Sequence, residues 1–336
     1  MPEVPFLLVL IVLIALVFDL TNGAHDSANA IATIVSTKVL SPRTAVLMAT
    51  ALNLLGAFLG TEVAQTVGAG IVGPDVVAGC NILVLAALLG AIFWNLLTWY
   101  LGLPSSSSHA LVGGLMGAAI AYKGWDAPSY ASIAKKVMLP LVLSPVAGFV
   151  GGYFLMVLLS WIFVKAHPRA VNAAFKKLQI LSSAFMATSH GLNDAQKTMG
   201  IITLALVIFK LQPEVIIPAW VKVACATAMG LGTALGGWKI VKTMGHRIFK
   251  LEAVHGFAAE TAASAVIMGA SALGAPISTT HTISTAVIGV GSSKRFSAVR
   301  WGVAANLVVA WVLTIPASCL VAAFFFWVLK LLGLDR

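Results

Sequence analysis

The feature that most constrains this chain is a series of long apolar stretches that recurs along its whole length. Examples are Ala45–Gly60, Ile82–Leu103, Val137–Val164, Ile216–Gly237, Ala253–Ala275 and Trp301–Leu329. A helix needs about 20 apolar residues to cross about 30 Å of hydrocarbon. The segment Val4–Val17 adds a first span, because it lacks the basic start and small-residue cleavage site of a secretory signal. The pattern predicts an all-α, polytopic membrane protein.

Composition supports a lipid environment and excludes several soluble classes. Hydrophobic residues make up 60% of the 336 residues and charged residues only 10%, whereas soluble domains carry about 25% charged residues. The net charge of +10 is typical of cytoplasmic loops that collect Lys and Arg, so we expect no nucleic-acid partner. The cysteines Cys80, Cys225 and Cys319 are far apart, which predicts neither a disulfide framework nor a Cys-based metal site.

Paired motifs indicate that the chain is an internal duplication. They are Gly23–Asn29 with Gly191–Lys197 at an offset of 168, Gly56-x-x-x-Gly60 with Gly232-x-x-x-Gly236 at 176, and Pro104–His109 with Pro276–His281 at 172. Three pairs in the same order are hard to obtain by chance. We therefore predict a first transmembrane repeat at 1–165, a basic cytoplasmic linker at 166–177 and a second repeat at 178–336.

The charges of two equivalent loops predict that the repeats have opposite orientations. The connection 61–80 carries Glu62 and Asp75 but no Lys or Arg, whereas 239–252 carries four basic residues. The positive-inside rule places these loops on opposite sides of the membrane. We expect an inverted repeat with about ten to twelve membrane segments. The paired glycines are typical of close helix packing in lipid, and we assign them no chemistry.

Polar clusters interrupt the first apolar run of each repeat. The clusters are Asp19, Thr21, Asn22, His25, Asp26, Ser27 and Asn29 in the first repeat, and Thr188, Ser189, His190, Asn193, Asp194, Gln196 and Lys197 in the second. One straight helix from residue 4 to residue 38 would reach about 50 Å, so we expect the helix to break near Gly23. Broken helices facing a protein-lined cavity are the usual ion and substrate sites of inverted-repeat transporters.

The two aspartates need partners, since an unpaired carboxylate in hydrocarbon costs several kcal/mol. One alternative is structural: Asp194 pairs with Lys197 one helical turn later, and Asp26 caps a half-helix. The other is a cation site, because carboxylate, amide and backbone oxygens suit a hard cation such as sodium. A proton would need only a titratable carboxylate or His25.

The Pro-x-Ser-x-x-His segments predict re-entrant hairpins that end at helix N-termini. Proline stops the preceding helix, and the hydroxyl residues after it stand at the start of the next, where backbone N–H groups are free. Such a helix N-terminus is an anion site. Two tips, one from each repeat, would bind a tetrahedral oxyanion through neutral donors. The alternative is that the hydroxyls only cap their helices.

These strings resemble those of the inorganic phosphate transporter (PiT) family, which includes sodium–phosphate symporters. The first reads Gly23-Ala24-His25-Asp26-Ser27-Ala28-Asn29, and its repeat is Gly191-Leu192-Asn193-Asp194-Ala195-Gln196-Lys197; both Pro-x-Ser-x-x-His strings also resemble the family's. The resemblance covers nearly the whole chain. The sequence departs from the pattern at His25, where asparagine is more usual, and at Lys197, whose counterpart is Asn29. The long central loop of animal members is absent here.

The resemblance implies a secondary active transporter that imports inorganic phosphate by cation symport, with sodium favoured and a proton possible. It implies no enzyme activity, no cofactor beyond the coupling ion, a multi-pass plasma-membrane location in the lipid bilayer, and a possible homodimer. The alternatives are a sulfate permease of the same family and a passive anion channel. A Ser–His hydrolase is disfavoured because Ser108 and His109 are adjacent and no Gly-x-Ser-x-Gly elbow is present.

The same resemblance assigns the candidate site residues. Phosphate is expected at Ser105, Ser106, Ser107, Ser278, Thr279 and Thr280. The cation is expected at Asn22, Asp26, Asn29, Asn193 and Asp194, with Asp26 and Asp194 as the sodium-binding carboxylates. His109 and His281 are expected to orient the serine loops.

The opposite orientation of the repeats predicts opposite labelling of two engineered cysteines. In a chain whose native cysteines are replaced, a membrane-impermeant thiol reagent added outside intact cells should modify Asp75→Cys and leave Lys242→Cys unmodified. After permeabilisation both should react, which controls for reactivity. Equal labelling of the two positions from one side would contradict the inverted arrangement.

Overall fold

The structure, a computed structural model, describes residues 5–70 and 80–334, apart from the side chains of 69 and 70; Asp75 and the rest of 71–79 in its predicted loop lie outside these ranges. Within them the chain is helical and contains no strand. The helices are α1 (Phe6–Ser36), α2 (Pro42–Gly56), α3 (Glu62–Gly70), α4 (Ile82–Leu101), α5 (Ser107–Lys123), α6 (Tyr130–Ile133), α7 (Leu139–Ile162), α8 (Pro168–Ile208), α9 (Ala219–Leu235), α10 (Trp238–Lys242), α11 (Ala253–Ala272), α12 (Thr279–Lys294) and α13 (Trp301–Leu331). A π-helical turn, Ala134–Met138, joins α6 to α7, and another, Thr243–Arg247, extends α10; Phe296–Ala298 is a 3₁₀ turn.

Several helices present an apolar outer surface, as expected for a membrane protein. In the described part of the chain, four helical segments are long and apolar enough to span a bilayer: α1, α4, α6–α7 and α13. The bent pair of α9 and Trp238–Arg247 is a fifth if the two together form one span. Large side chains such as Leu13, Leu143 and Phe324 are exposed on these segments. The all-α, polytopic class is therefore confirmed, while the number of ten to twelve membrane segments stays a prediction.

The expected helix break near Gly23 is wrong. The first helix runs without interruption from Phe6 to Ser36, and α8 runs through the equivalent Gly191. Asn22, Asp26 and Asn29 are at most 3% exposed, so their side chains find polar partners inside the protein and the backbone has no need to unwind. Helix length was a poor argument for a break, because a long helix can tilt or extend beyond the hydrocarbon.

The chain breaks at the paired glycines instead. Helix α2 ends at Gly56, and α3 begins only at Glu62. Helix α9 ends at Leu235 and is followed by Gly236, whose φ of +74° suits a residue without Cβ. The chain bends by 61° between α9 and the segment Trp238–Arg247. The paired glycines therefore mark helix ends as well as packing contacts.

The first helix of the chain packs against α9 through glycine. A Cβ at Gly23 would lie 2.4 Å from the Met229 carbonyl oxygen, and one at Gly232 would lie 2.1 Å from that of Leu20. Both distances are far below van der Waals contact. Only glycine allows the two backbones to approach this closely.

Helix α8 repeats the same contact with α2. A Cβ at Gly191 would lie 2.1 Å from the Asn53 carbonyl oxygen, and one at Gly56 would lie 2.2 Å from that of Thr188. These positions match those of the α1–α9 contact at the offsets found in the sequence. The leading helix of each predicted repeat thus packs on the broken helix of the other.

Helices α1 and α8, which carry the two polar clusters, run antiparallel. Thr37 Oγ1 donates to Gln179 Oε1 at 2.8 Å, and Ser183 Oγ donates to the Ala30 carbonyl at 3.0 Å. Residue numbers thus fall along α1 as they rise along α8. An inverted repeat requires this relation between equivalent helices.

Helix α8 begins at Pro168, so most of the predicted linker 166–177 forms its first turns rather than an irregular connection. The repeat boundaries and the cytoplasmic side of this segment stay predictions.

Two apolar cores leave the polar clusters between them. One core joins the first half of α1 and the last part of α8 to α4 and α5. The other joins the last part of α1 to α11 and α12. The middle of α1 and the middle of α8 lie at the junction of these cores. The fold therefore places the polar side chains of both helices at the centre of the protein.

The glycine contacts predict a stability difference between two neighbouring alanine substitutions on α9. Gly232→Ala should lower the Tm of the detergent-solubilised protein, because its Cβ meets the α1 backbone. Gly230→Ala is the matched control: its Cβ would lie 3.7 Å from Leu54, and replacing a helical Gly by Ala is favourable by about 1 kcal/mol. Its Tm should be unchanged or higher. Equal Tm values would show that the close crossing does not exist.

Candidate functional site

Both Pro-x-Ser segments form capped helix N-termini. Helix α5 begins at Ser107, and the Ser106 Oγ accepts a hydrogen bond from the His109 N–H at 3.3 Å. Helix α12 begins at Thr279, and the Ser278 Oγ accepts from the His281 N–H at 3.2 Å. Ser106 and Ser278 therefore do cap their helices. The hydroxyls of Ser107 and Thr279 are left for other partners.

The two helix tips meet at the centre of the protein. The rings of the equivalent residues His109 and His281 lie 4.6 Å apart between centroids. Ser108 Oγ donates to the Ile277 carbonyl at 3.2 Å. Trp311 stacks on His281 at 4.0 Å and donates its Nε1–H to the Pro104 carbonyl at 3.0 Å. The histidine rings thus pack between the tips, while their predicted orienting role stays a prediction.

The carboxylate of Asp26 lies against both tips. Ser107 Oγ is 2.7 Å from Asp26 Oδ2 and 2.5 Å from Asn22 Oδ1, so its single proton is shared between them. Thr280 Oγ1 donates to Asp26 Oδ1 at 3.2 Å. His25 Nδ1 lies 2.6 Å from the same oxygen. Asp26 therefore contacts hydroxyls from α5 and from α12, whose N-caps are Ser106 and Ser278, and among the described helices it caps none.

The carboxylate of Asp194 occupies the equivalent position on α8. Thr279 Oγ1 donates to Asp194 Oδ2 at 3.0 Å, as Ser107 does to Asp26. His190 Nε2 lies 2.9 Å from the same oxygen. Lys197 Nζ forms an ion pair with Asp194 Oδ1. The structural alternative drawn from the sequence, a pair between Asp194 and Lys197, is therefore present.

One cluster brings the two aspartates together. Ligand atoms of Asp26, His190 and Asp194 all lie within 4.8 Å of one another, and the three residues are buried. The Asn29 side-chain carbonyl, also buried, has no hydrogen-bond partner among the described residues. Two carboxylates and an imidazole at this spacing are a donor set that can hold one cation.

Two predicted residues make their hydrogen bonds with other groups. Ser105 Oγ lies 2.8 Å from Thr98 Oγ1 and 3.2 Å from His25 Nε2, the ring whose Nδ1 contacts Asp26. Asn193 donates from Nδ2 to Ser271 Oγ on α11 at 2.8 Å. The other predicted residues all contribute to the tips or to the polar groups facing them.

A buried carboxylate at Glu260 was missed by the sequence reasoning. Thr33 Oγ1 and Ser182 Oγ both donate to it, and Gln179 Nε2 donates at 3.3 Å. Glu260 is 0% exposed. A lone acidic residue within the apolar stretch Ala253–Ala275 was the available signal, because ionisable residues at membrane depth need partners.

Comparisons with known proteins agree with this architecture. A family model described as "Phosphate transporter family" matches residues 22–322. A "Probable low-affinity inorganic phosphate transporter" of Bacillus subtilis (strain 168) is 46% identical, over 97% of this chain and 98% of that protein. One with the same description from Rhizobium meliloti (strain 1021) is 49% identical, over 94% of this chain and 95% of that protein. A solved structure described as "The sodium-dependent phosphate transporter" superposes with a TM-score of 0.88 at 27% identity, covering 97% of this chain and 100% of its own.

These similarities confirm the resemblance seen in the motifs. The family and the relatives are transporters, so the prediction that the chain is not an enzyme is confirmed. With its several apolar helices, the protein is a multi-pass protein of the plasma membrane. The chain belongs to the phosphate transporter family.

Proposed function

We propose that the chain imports inorganic phosphate by symport with a cation, at the junction of the α5 and α12 tips with α1 and α8. The observation that best supports this proposal is the matched pair of contacts Ser107–Asp26 and Thr279–Asp194. Each places a hydroxyl from a helix tip against a carboxylate on the long helix. Groups suited to an anion and groups suited to a cation thus lie within one buried cluster.

The tips supply the anion site. A helix N-terminus carries about half a positive charge from its unpaired N–H groups, and two such ends converge here with hydroxyls at their first turns. Ser106, Ser107, Ser278, Thr279 and Thr280 are assigned to phosphate in this proposal, with Ser105 supporting the α5 tip through Thr98 and His25. Neutral donors of this kind bind an oxyanion and release it again without breaking an ion pair.

Coupling follows from the charges around the tips. Two unit charges of the same sign about 4 Å apart repel by about 4 kcal/mol at an effective dielectric constant of 20. Phosphate therefore binds poorly beside Asp26 until a cation or a proton offsets its charge, whereas Asp194 is already paired with Lys197. Once that cation is bound, it attracts the anion. This mutual dependence makes the two substrates travel together.

Sodium is the favoured coupling ion. Carboxylate and amide oxygens, here from Asp26, Asp194, Asn22 and Asn29, are the ligands of a hard cation. The structurally similar transporter is described as sodium-dependent. His25 and His190 touch the same carboxylates, so a proton is the second candidate. A sulfate permease and a passive anion channel are the rival functions.

Removal of the Asp26 charge should uncouple transport. Asp26→Asn keeps the size and an acceptor oxygen for Ser107 but offers no charge to a cation. In proteoliposomes it should abolish phosphate uptake against a gradient and weaken the dependence on sodium. Asp126→Asn, at an exposed position, is the matched control and should behave as the wild type. Wild-type sodium dependence in Asp26→Asn would remove the cation from this carboxylate, and cation-independent uptake by the wild type would favour the channel.

The site should select phosphate over sulfate. Phosphate keeps a proton near neutral pH and can donate it to Asp26 or Asp194, whereas sulfate has none to give. A site that hydrogen-bonds a substrate hydroxyl can reject an analogue lacking it by factors of about 10⁴. Sulfate in tenfold excess should leave labelled phosphate uptake unchanged. Arsenate, which has the same shape and carries a proton, should inhibit it. Inhibition by sulfate at concentrations comparable to phosphate would instead favour the sulfate permease.

A further inference from the structure

Lys197 is a buried cation at the centre of the protein. It lies on α8 with 2% of its surface exposed. Its Nζ donates to the Asp194 carboxylate, to Ser108 Oγ at 2.5 Å and to the Ile277 carbonyl at 2.9 Å. The ammonium thus joins α8 to both helix tips.

The equivalent position in the first repeat holds an amide. Asn29, 168 residues earlier, donates from Nδ2 to Thr280 Oγ1 at 3.0 Å and to Thr279 Oγ1 at 3.2 Å. Thr280 is itself the counterpart of Ser108. Both residues therefore make the same contact, from a long helix to the tip of the other repeat's hairpin. They differ in charge: one position brings a fixed cation and the other does not.

The surroundings of the Lys197 ammonium are those of a bound cation. Its three acceptors are a carboxylate, a hydroxyl and a backbone carbonyl, which are the oxygens that a hard cation takes. An ammonium has three N–H donors, and all three are engaged. None remains to hold phosphate. The Lys197 side chain is therefore placed as a counter-ion to Asp194 rather than as an anion ligand.

The charges of the two aspartates are balanced differently as a result. Asp194 has the ammonium of Lys197 as a covalently attached partner. Among the described residues, Asp26 forms no ion pair with a Lys or Arg; its basic neighbours are two histidines, His25 at 2.6 Å and His190, whose ring nitrogen lies within 4.8 Å. A mobile cation would thus be needed to offset the charge of Asp26, whereas at Asp194 the Lys197 ammonium already supplies that charge.

We propose that Lys197 acts as a tethered cation that occupies one of two equivalent cation positions. Each phosphate is then carried with one mobile cation fewer than if both positions were open to mobile ions. The proposal rests on the cation symport proposed above. It predicts that the residue at this position sets the coupling ratio. An amide there, as at Asn29, would open a second position to a mobile ion.

The test converts the second repeat to the first. Lys197→Asn should raise the number of cations carried per phosphate by one, measured in proteoliposomes as the cation gradient that just balances an opposing phosphate gradient. Sodium and proton gradients are imposed separately. The Hill slope for the coupling cation should rise by up to one. Lys177→Asn, the same substitution at an exposed position on the same helix, is the matched control and should keep the wild-type ratio.

A second measurement needs no transport activity. In detergent, Lys197→Asn leaves Asp194 without its counter-ion, so its Tm should fall in choline chloride. Sodium chloride, or a lower pH for a proton-coupled protein, should restore it by more than the same change raises the wild-type Tm. Lys197→Gln, which keeps more of the side-chain length, provides a second variant in case Lys197→Asn does not fold.

The outcomes distinguish the possible roles of Lys197. An unchanged coupling ratio, with a Tm depressed equally in both salts and at both pH values, would show a purely structural ion pair and overturn the proposal. An unchanged ratio with a higher phosphate concentration for half-maximal uptake would make Lys197 a phosphate ligand and overturn it as well. Cation-independent uptake by the wild type would refute the symport itself. In that case the Tm comparison still decides whether a cation replaces the Lys197 ammonium.

Discussion

The hydrogen bonds between the helix tips and the carboxylates of Asp26 and Asp194 are the interaction on which the rest of the structure depends. An unpaired carboxylate at membrane depth costs several kcal/mol, and α1 and α8 bring two of them to the junction of two apolar cores. The first hydroxyl of α5 satisfies one carboxylate, and the first hydroxyl of α12 satisfies the other. To place those hydroxyls beside Asp26 and Asp194, the N-termini of α5 and α12 must lie against the middle of α1 and of α8. The position of the tips therefore follows from the need to pair buried charge.

The glycine contacts explain how two long helices can carry so much polarity through a membrane. Gly23 and Gly191 let α1 and α8 lie directly on the backbones of α9 and α2, so that polar side chains face protein and not lipid. The same contacts join the two predicted repeats. Thr280 reaches Asp26, and Lys197 reaches Ser108, so each site contains groups from both repeats. Motion that separates the tips from the long helices must break these contacts together, which couples release of the anion to release of the cation in the proposed mechanism.

The sequence predicted most of the fold and much of the site because the relevant signals were local. Long apolar runs predicted the helices, and the prolines of the Pro-x-Ser segments predicted where α5 and α12 begin. The continuity of α1 through Gly23 could not be predicted, because it depends on whether the side chains of Asn22 and Asp26 face protein, and hydropathy does not report this. The partners of Glu260 come from α1 and α8, residues distant in sequence. The sequence shows that Glu260 is the single acidic residue of an apolar stretch, but it does not show which three side chains donate hydrogen bonds to the carboxylate.

The two predicted repeats differ in their buried charges, and these differences can give the repeats different roles. By the offsets of the paired motifs, the counterparts of Glu260 and its donors Gln179, Ser182 and Thr33 are Leu88, Ile11, Ile14 and Ile201. Three of these apolar residues, Leu88, Ile11 and Ile201, are fully buried in the first core. Equivalent positions are thus occupied by apolar side chains in the first predicted repeat and by a hydrogen-bonded carboxylate in the second. Asn29 and Lys197 differ in the same way, by one unit of charge at matched positions. Because the backbone contacts at the tips are nearly equivalent in the two predicted repeats, the proposed mobile cation would be directed to Asp26 by charge and not by shape. In the proposed mechanism, the Lys197 ammonium permanently neutralises Asp194, and neutralisation of Asp26 depends on an ion that enters with phosphate.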